Sequence, residues 1–202
     1  KGVYNERSPA PRYSTTWDVT KVTDYLKTLF PLDQLNLKTL TLKAVMLCAL
    51  SSAQREQTLC ALDLNCIRET QDGFSFDIAE RLKTSKPGKS VTLKFDCLPD
   101  EALCTKCAPL ATYISRSKAL RGYGPNDSVS TLFIVYIKPY KPISTDTLSR
   151  WIKLVLSSAG IDTSVFKAHS VRGAATSHAY AKGVPVAEIL RAADWTSERI
   201  FR

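Results

Sequence analysis

Ala168-His169-Ser170-Val171-Arg172-Gly173-Ala174 is the stretch on which the reading of this chain turns. An alanine-rich helical pattern runs from His169 to Ala181 and Gly183 closes it, so His169 and Arg172, three apart at the helix start, share one face. An imidazole and a guanidinium placed in this way can face one phosphate together. His-x-x-Arg alone is common by chance, and a lone histidine at such a place is more often a helix cap or a core residue. Two residues elsewhere give it company. Trp195 sits in Ala193-Asp194-Trp195-Thr196-Ser197-Glu198, and Arg55, in Ser52-Ala53-Gln54-Arg55-Glu56, interrupts an apolar run.

Working outward, residues 1 to 13 carry Pro9, Pro11 and two arginines without periodicity and read as an extended arm or linker remnant, leaving 14 to 202 as one domain. Apolar residues at 19, 22, 25, 26, 29 and 30 predict an amphipathic helix, with cap candidates Ser14-Thr15-Thr16 and a stop at Pro31. Asn36 can cap a second helix to about Ser51. Leu37, Leu40, Ala44, Val45, Leu47 and Cys48 make it apolar on most sides, so the core is expected to be built on it. Arg55 starts a short helical stretch, Gln57 to Leu62, from which it can reach into a cleft; standing alone it would read as a surface arginine paired with Glu56 or Asp63. Phe74, Phe76 and Ile78 alternate with polar residues, as do Val91, Leu93 and Phe95, and Thr84-Ser85-Lys86-Pro87-Gly88 between them has turn chemistry. This is a β-hairpin with Lys83, Lys86 and Lys89 at or near its tip.

Pro109 suits the first turn of a helix carrying Leu110, Tyr113, Ile114 and Leu120, with Arg116, Lys118 and Arg121 expected on its outer face. Thr131 to Ile137 reads as a short buried strand or an apolar extended segment. Ser144 caps an amphipathic helix with Leu148, Trp151, Ile152, Val155, Leu156 and Ala159 on one side, Arg150 and Lys153 off that stripe, and Gly160 at its end. Pro185 opens Val186 to Ala193, and Ser197 can cap a further helix. The sum is mainly α with a small antiparallel β-sheet, an α+β arrangement.

Composition bounds the function. With 44% hydrophobic and 23% charged residues the chain is ordinary for a globular domain. No apolar run approaches the ~20 residues of a membrane span, and the first residues lack a signal-peptide core, so an intracellular protein is expected. Net charge is +9, from 28 basic and 19 acidic residues, which favours an anionic partner held by salt-sensitive attraction. The six cysteines, Cys48, Cys60, Cys66, Cys97, Cys104 and Cys107, read as reduced thiols. Cys104-x-x-Cys107 would need two more ligands to hold a metal, Cys97 is a possible third, and both histidines are distant in sequence; no metal or other cofactor is expected.

A phosphodiester under attack becomes pentavalent and doubly charged, so an enzyme working without metal needs fixed cations and donors around the equatorial oxygens. Two guanidiniums match those oxygens as planar forks, a lysine or histidine can protonate the departing hydroxyl, and an indole N–H donates one more bond. A tyrosine is a nucleophile that can leave again, conserving the bond for religation. Arg55, a lysine-bearing hairpin, His169-x-x-Arg172 and Trp195, in that order over residues 17 to 202, resemble the catalytic domain of the tyrosine recombinases, the phage-type integrases and site-specific recombinases.

That resemblance implies the fold of this catalytic domain and a reaction that cuts and rejoins DNA through a covalent 3′-phosphotyrosine. It implies that Arg55 is the first arginine, followed by Leu59, Leu62 and Asp63, although Thr58 stands where the family often has an acidic residue. It implies that Lys83 is the general acid with Lys86 as rival, that His169 and Arg172 are the His-x-x-Arg pair, that Gly173 and Ala174 permit close helix packing, and that Trp195 fills a histidine-or-tryptophan position. Lys86, Lys89, Arg150 and Lys153 are candidate contacts to the DNA backbone. The family's tyrosine comes about nine or ten residues after the tryptophan, beyond Arg202; Tyr136, Tyr140 and Tyr180 are misplaced for the role. Ile137-Lys138-Pro139-Tyr140-Lys141-Pro142-Ile143 and Ala159-Gly160-Ile161-Asp162 look most like recombinases of eukaryotic mobile elements, the DIRS-like retroelements and Cryptons, which implies the nucleus. The partners implied are double-stranded DNA and further copies of the chain, four on DNA, with no membrane and no small-molecule substrate. The alternatives are a domesticated, non-cleaving DNA- or protein-binding module and, unrelated to that family, a helical regulator using Ser144 to Ala159 as a recognition helix.

Overall fold

A computed structural model of the chain describes residues 15–78, 91–96, 100, 103, 109–122 and 129–195. The arm 1 to 13, the hairpin tip with Lys83, Lys86 and Lys89, Cys97, Cys104 and Cys107, and the helix expected from Ser197 lie outside the described residues.

Helix α1 spans Val19–Thr28 and buries Val19, Val22 and Leu26. Its cap is Asp18, not the hydroxyl residues just before it: Asp18 Oδ1 accepts from the Thr20 N–H at 2.8 Å, which holds the Asp18 carboxyl below its ordinary range. Helix α2, Leu37–Ser52, is capped by Asn36, which accepts from the Thr39 N–H at 2.9 Å. Leu40, Ala44, Val45, Met46, Leu47 and Cys48 are all buried, and α2 packs against α4, α5 and α6 as well as the sheet. A helix apolar on nearly every side can only sit inside, and here it is the axis of the domain. Lys43 is buried on it as well, its ammonium donating a 2.7 Å hydrogen bond to Leu29 O at the end of α1.

After α3, Glu56–Cys60, the chain forms an antiparallel sheet in the order β1 (Ile67–Thr70), β2 (Gly73–Ile78), β3 (Val91–Asp96). The expected hairpin is β2–β3, with Phe74 opposite Phe95 and Phe76 opposite Leu93; β1 is an added edge strand. At Gly73 an added Cβ would lie 2.0 Å from Phe95 O, so only glycine lets the strands close there.

Helix α4, Pro109–Lys118, stops short of Leu120. Arg116 is exposed as expected, but Arg121 is not: it is 7% exposed, and its guanidinium donates to Ser117 Oγ at 3.0 Å, to Leu132 O at 2.6 Å, to Val129 O at 3.2 Å and to Thr131 O. The charge is buried because four acceptors converge on it, and they bind segment 129–132 to α4. The chain from 129 to 134 joins no sheet, meeting Asp63 and Pro142 through isolated bridges at Thr131 and Ile134. Helix α5, Thr145–Ser158, starts at Ser144, whose hydroxyl accepts from the Thr147 N–H, and ends before Gly160 at φ 76°. Helix α6, Ser170–Ala181, and α7, Val186–Ala192, complete the described residues. The architecture is mainly helical with one small three-stranded antiparallel sheet.

Candidate active site

The site forms where α2 ends. Ala53 takes the left-handed conformation, φ 49°, unusual for a residue with a Cβ, and turns the chain so that Arg55 becomes the N-cap residue of α3. Arg55 is exposed and makes no ion pair with Glu56, Asp63 or any other described residue. Behind it, Leu59 and Leu62 are buried, and so is Thr58.

Across from Arg55 lies the first turn of α6. His169 occupies its N-cap position with helical backbone, its side chain makes no capping bond, and it is exposed, so it serves neither as cap nor as core residue. The turn is fixed from below by Trp17, whose indole N–H donates to Ser170 Oγ at 2.9 Å; both residues are 6% exposed. Ala174 packs tightly at 1% exposure, as a small residue should. Gly173 does not: it is exposed, and a Cβ there would meet nothing within 4 Å, so its smallness leaves the cleft open instead of drawing helices together.

Arg172 is the hub. Its Nε donates to Ala53 O at 2.7 Å and an Nη to Ala193 O, fastening the end of α2 to the end of α7. After Ala193, Asp194 is the second left-handed residue of the site, φ 51°, and the Trp195 N–H returns to Leu190 O at 2.9 Å. This closure brings the Trp195 ring to 5.1 Å from the Arg172 guanidinium carbon. Two of the five guanidinium N–H groups are thus used; among the described residues the other three have no acceptor. Burial and the nearby charge of Arg55 push the ionisation of Arg172 down to about 10, with Asp194 opposing the shift. Arg172 is therefore still a cation at neutral pH, in a place where a second cation makes an anion welcome.

Arg55, His169, Arg172 and Trp195 all line one open cleft of about 970 Å³. Its other walls include Trp17, Gln54, Thr145 and Phe166. Arg150 and Lys153 are exposed on α5 and are not among the lining residues. Gln54 and Trp17 could not be singled out from the sequence, since their partners lie 138 and 153 positions away. Among the described residues no group of three or more His, Cys, Asp or Glu side chains is arranged to hold a metal ion, and no helix is long and apolar enough to cross a membrane.

No curated protein sequence matches the chain. Among solved structures it is similar to the XerH site-specific recombinase bound to difH substrate in a pre-cleavage complex (TM-score 0.67, 13% identity, 93% of this chain and 49% of that one). It is similar also to XerA recombinase (TM-score 0.63, 13% identity, 98% and 60%) and to a lambda integrase tetramer bound to a Holliday junction (TM-score 0.55, 15% identity, 91% and 46%). The chain thus spans between 46% and 60% of the length of these structures. The fold is theirs, and the sequence profile of the phage integrase family matches residues 19–202; the chain belongs to that family, the tyrosine recombinases.

Proposed function

We propose that this chain is the DNA strand-transfer domain of a site-specific recombinase, acting for a eukaryotic mobile element in the nucleus. The observation that carries the proposal is the meeting of Arg55, His169, Arg172 and Trp195 in one cleft, two guanidiniums with no carboxylate paired to either among the described residues. Such a site holds a phosphodiester in the duplex backbone. Arg55 and Arg172 neutralise the equatorial oxygens as charge moves onto them, and Trp195 donates its indole N–H. His169 orients the phosphate and assists proton transfer.

A tyrosine beyond Arg202 attacks phosphorus through its phenolate oxygen; the bond to the 5′ oxygen breaks, and Lys83, with Lys86 as its rival, gives that oxygen a proton. The DNA is left with a free 5′ hydroxyl and a 3′-phosphotyrosine, and the reverse reaction with a new 5′ hydroxyl rejoins strands. No metal or nucleotide is consumed, since energy is kept in the phosphotyrosine. Lys86, Lys89, Arg150 and Lys153 contact the backbone, and four protomers act on two duplexes; the similar fold captured as a lambda integrase tetramer on a Holliday junction supports that stoichiometry.

The test uses the protein extended past Arg202 through its next tyrosine, incubated with nicked duplexes of randomised sequence and run on a denaturing gel. A protein–DNA adduct that Arg172→Ala abolishes is expected. Salt-sensitive duplex binding with no adduct would make the protein a non-cleaving DNA-binding module instead.

A further inference from the structure

Gln54 stands between the residue whose carbonyl Arg172 grips and the arginine that enters the cleft, yet its side chain bonds to neither neighbour. It is 8% exposed, and its Nε2 donates a 2.6 Å hydrogen bond to Ala192 O, 138 positions further on. Ala192 is the last residue of α7. Ala193, next in line and wholly buried, offers its carbonyl to Arg172, and Trp195 then lies over the guanidinium. Two side chains therefore tie the α2 terminus to the α7 terminus at adjacent carbonyls, Gln54 at Ala192 and Arg172 at Ala193.

We propose that Gln54 is a positioning residue of this site: its carboxamide fixes the end of α7 against the end of α2, and so sets where the Trp195 indole stands relative to Arg55 and Arg172. The chemistry selects a neutral donor of this length. Methionine has the reach but no N–H, and leaves the Ala192 carbonyl without its partner. Asparagine is one methylene short. An ionised glutamate would turn an acceptor onto an acceptor and bring negative charge to a site built for an anion, whereas protonated glutamic acid can donate as the amide does. The consequence for DNA rests on the function proposed above; the placement of Trp195 does not.

The experiment follows Trp195 by fluorescence, taking the difference between each protein and the same protein with Trp195→Phe, so that Trp17 and Trp151 cancel. Gln54→Met should make the Trp195 emission more accessible to acrylamide. Gln54→Glu should show a Trp195 signal that titrates, native-like when the carboxyl is protonated and displaced when it is ionised, while the parent protein stays flat over the same range. That titration is read within one folded protein and survives a poorly folding methionine variant. A Trp195 signal identical in all three proteins and independent of pH overturns the proposal, whatever the variants do to thermal stability. In parallel, duplex binding that depends on Arg172 should weaken about tenfold in Gln54→Met, the weight of one hydrogen bond. If Trp195 responds but the parent binds no DNA, Gln54 keeps its role and the proposed function falls.

Discussion

The indole of Trp195 stands 5.1 Å from the guanidinium carbon of Arg172, with the Ala53 and Ala193 carbonyls bound along the guanidinium edge. A flat, delocalised cation fits between an aromatic face and two acceptors; an ammonium does not. Arg172→Lys keeps the charge and loses the fit. We expect it to cost about 2 kcal/mol of stability, because Ala53 and Ala193 lie in buried surroundings, and to weaken duplex binding about tenfold. Denaturant titration and a DNA-binding titration check both numbers; lysine binding DNA as well as arginine would mean that a point charge suffices.

Arg121 tests a different kind of arginine. Arg121→Met leaves the Val129, Thr131 and Leu132 carbonyls without their common donor. The expected loss is about 3 kcal/mol, the cost of leaving buried carbonyls without their donor. The folded fraction should bind DNA as before, since Arg121 is not among the cleft's lining residues. Unfolding in urea gives the first figure, and a loss below about 1 kcal/mol would contradict the buried network.

Lys43 makes stability depend on alkali. Burial holds its ionisation down to about 8 against the ordinary 10.5, with Asp100 pulling weakly the other way. Between those values the unfolded chain binds a proton that the folded chain has released, so stability rises as pH climbs through the window. The gain is on the order of 2–3 kcal/mol, and below pH 8 it is absent. Lys43→Met should flatten this rise while leaving Leu29 O without its donor. Urea midpoints of the two proteins across the window measure the difference; parallel curves would place the titration elsewhere.

The exposed basic residues of α5 make a prediction about salt. If Arg150 and Lys153 meet the DNA backbone, each alanine substitution lowers the slope of log affinity against log salt by about 0.9 and weakens all sequences alike. Filter binding over a salt series reads the slope, and an unchanged slope would return both residues to an ordinary solvated face.

The parts legible in the sequence are those decided locally. Asn36 and Ser144 cap helices through their own side chains, Gly160 ends one at positive φ, and the alternation at Phe74, Phe76, Leu93 and Phe95 reads directly as two paired strands. Strand β1 escaped because Ile67 is the one apolar residue in Ile67-Arg68-Glu69-Thr70 and none of the four is buried, so no alternation marks it. Arg121 reads as outward because charge near a helix end is usually solvated; apart from Ser117, its acceptors come only with the return of segment 129–132. Of the site, Arg55, His169, Arg172 and Trp195 could be named by order and type. Gln54 and Trp17 could not, since their hydrogen bonds exist only once the two ends of the domain meet.

The fastening of α2 to α7 also sets an order of events during synthesis. A growing chain exposes Arg55 with most of the core helix already made, yet the carbonyl at Ala193 and the indole at Trp195 emerge last among the described residues. Until they dock, Arg172 has neither its second acceptor nor its aromatic cover. Before that docking no cleft is formed, so under the function proposed above tight capture of a backbone phosphate waits until Ala193 and Trp195 have emerged.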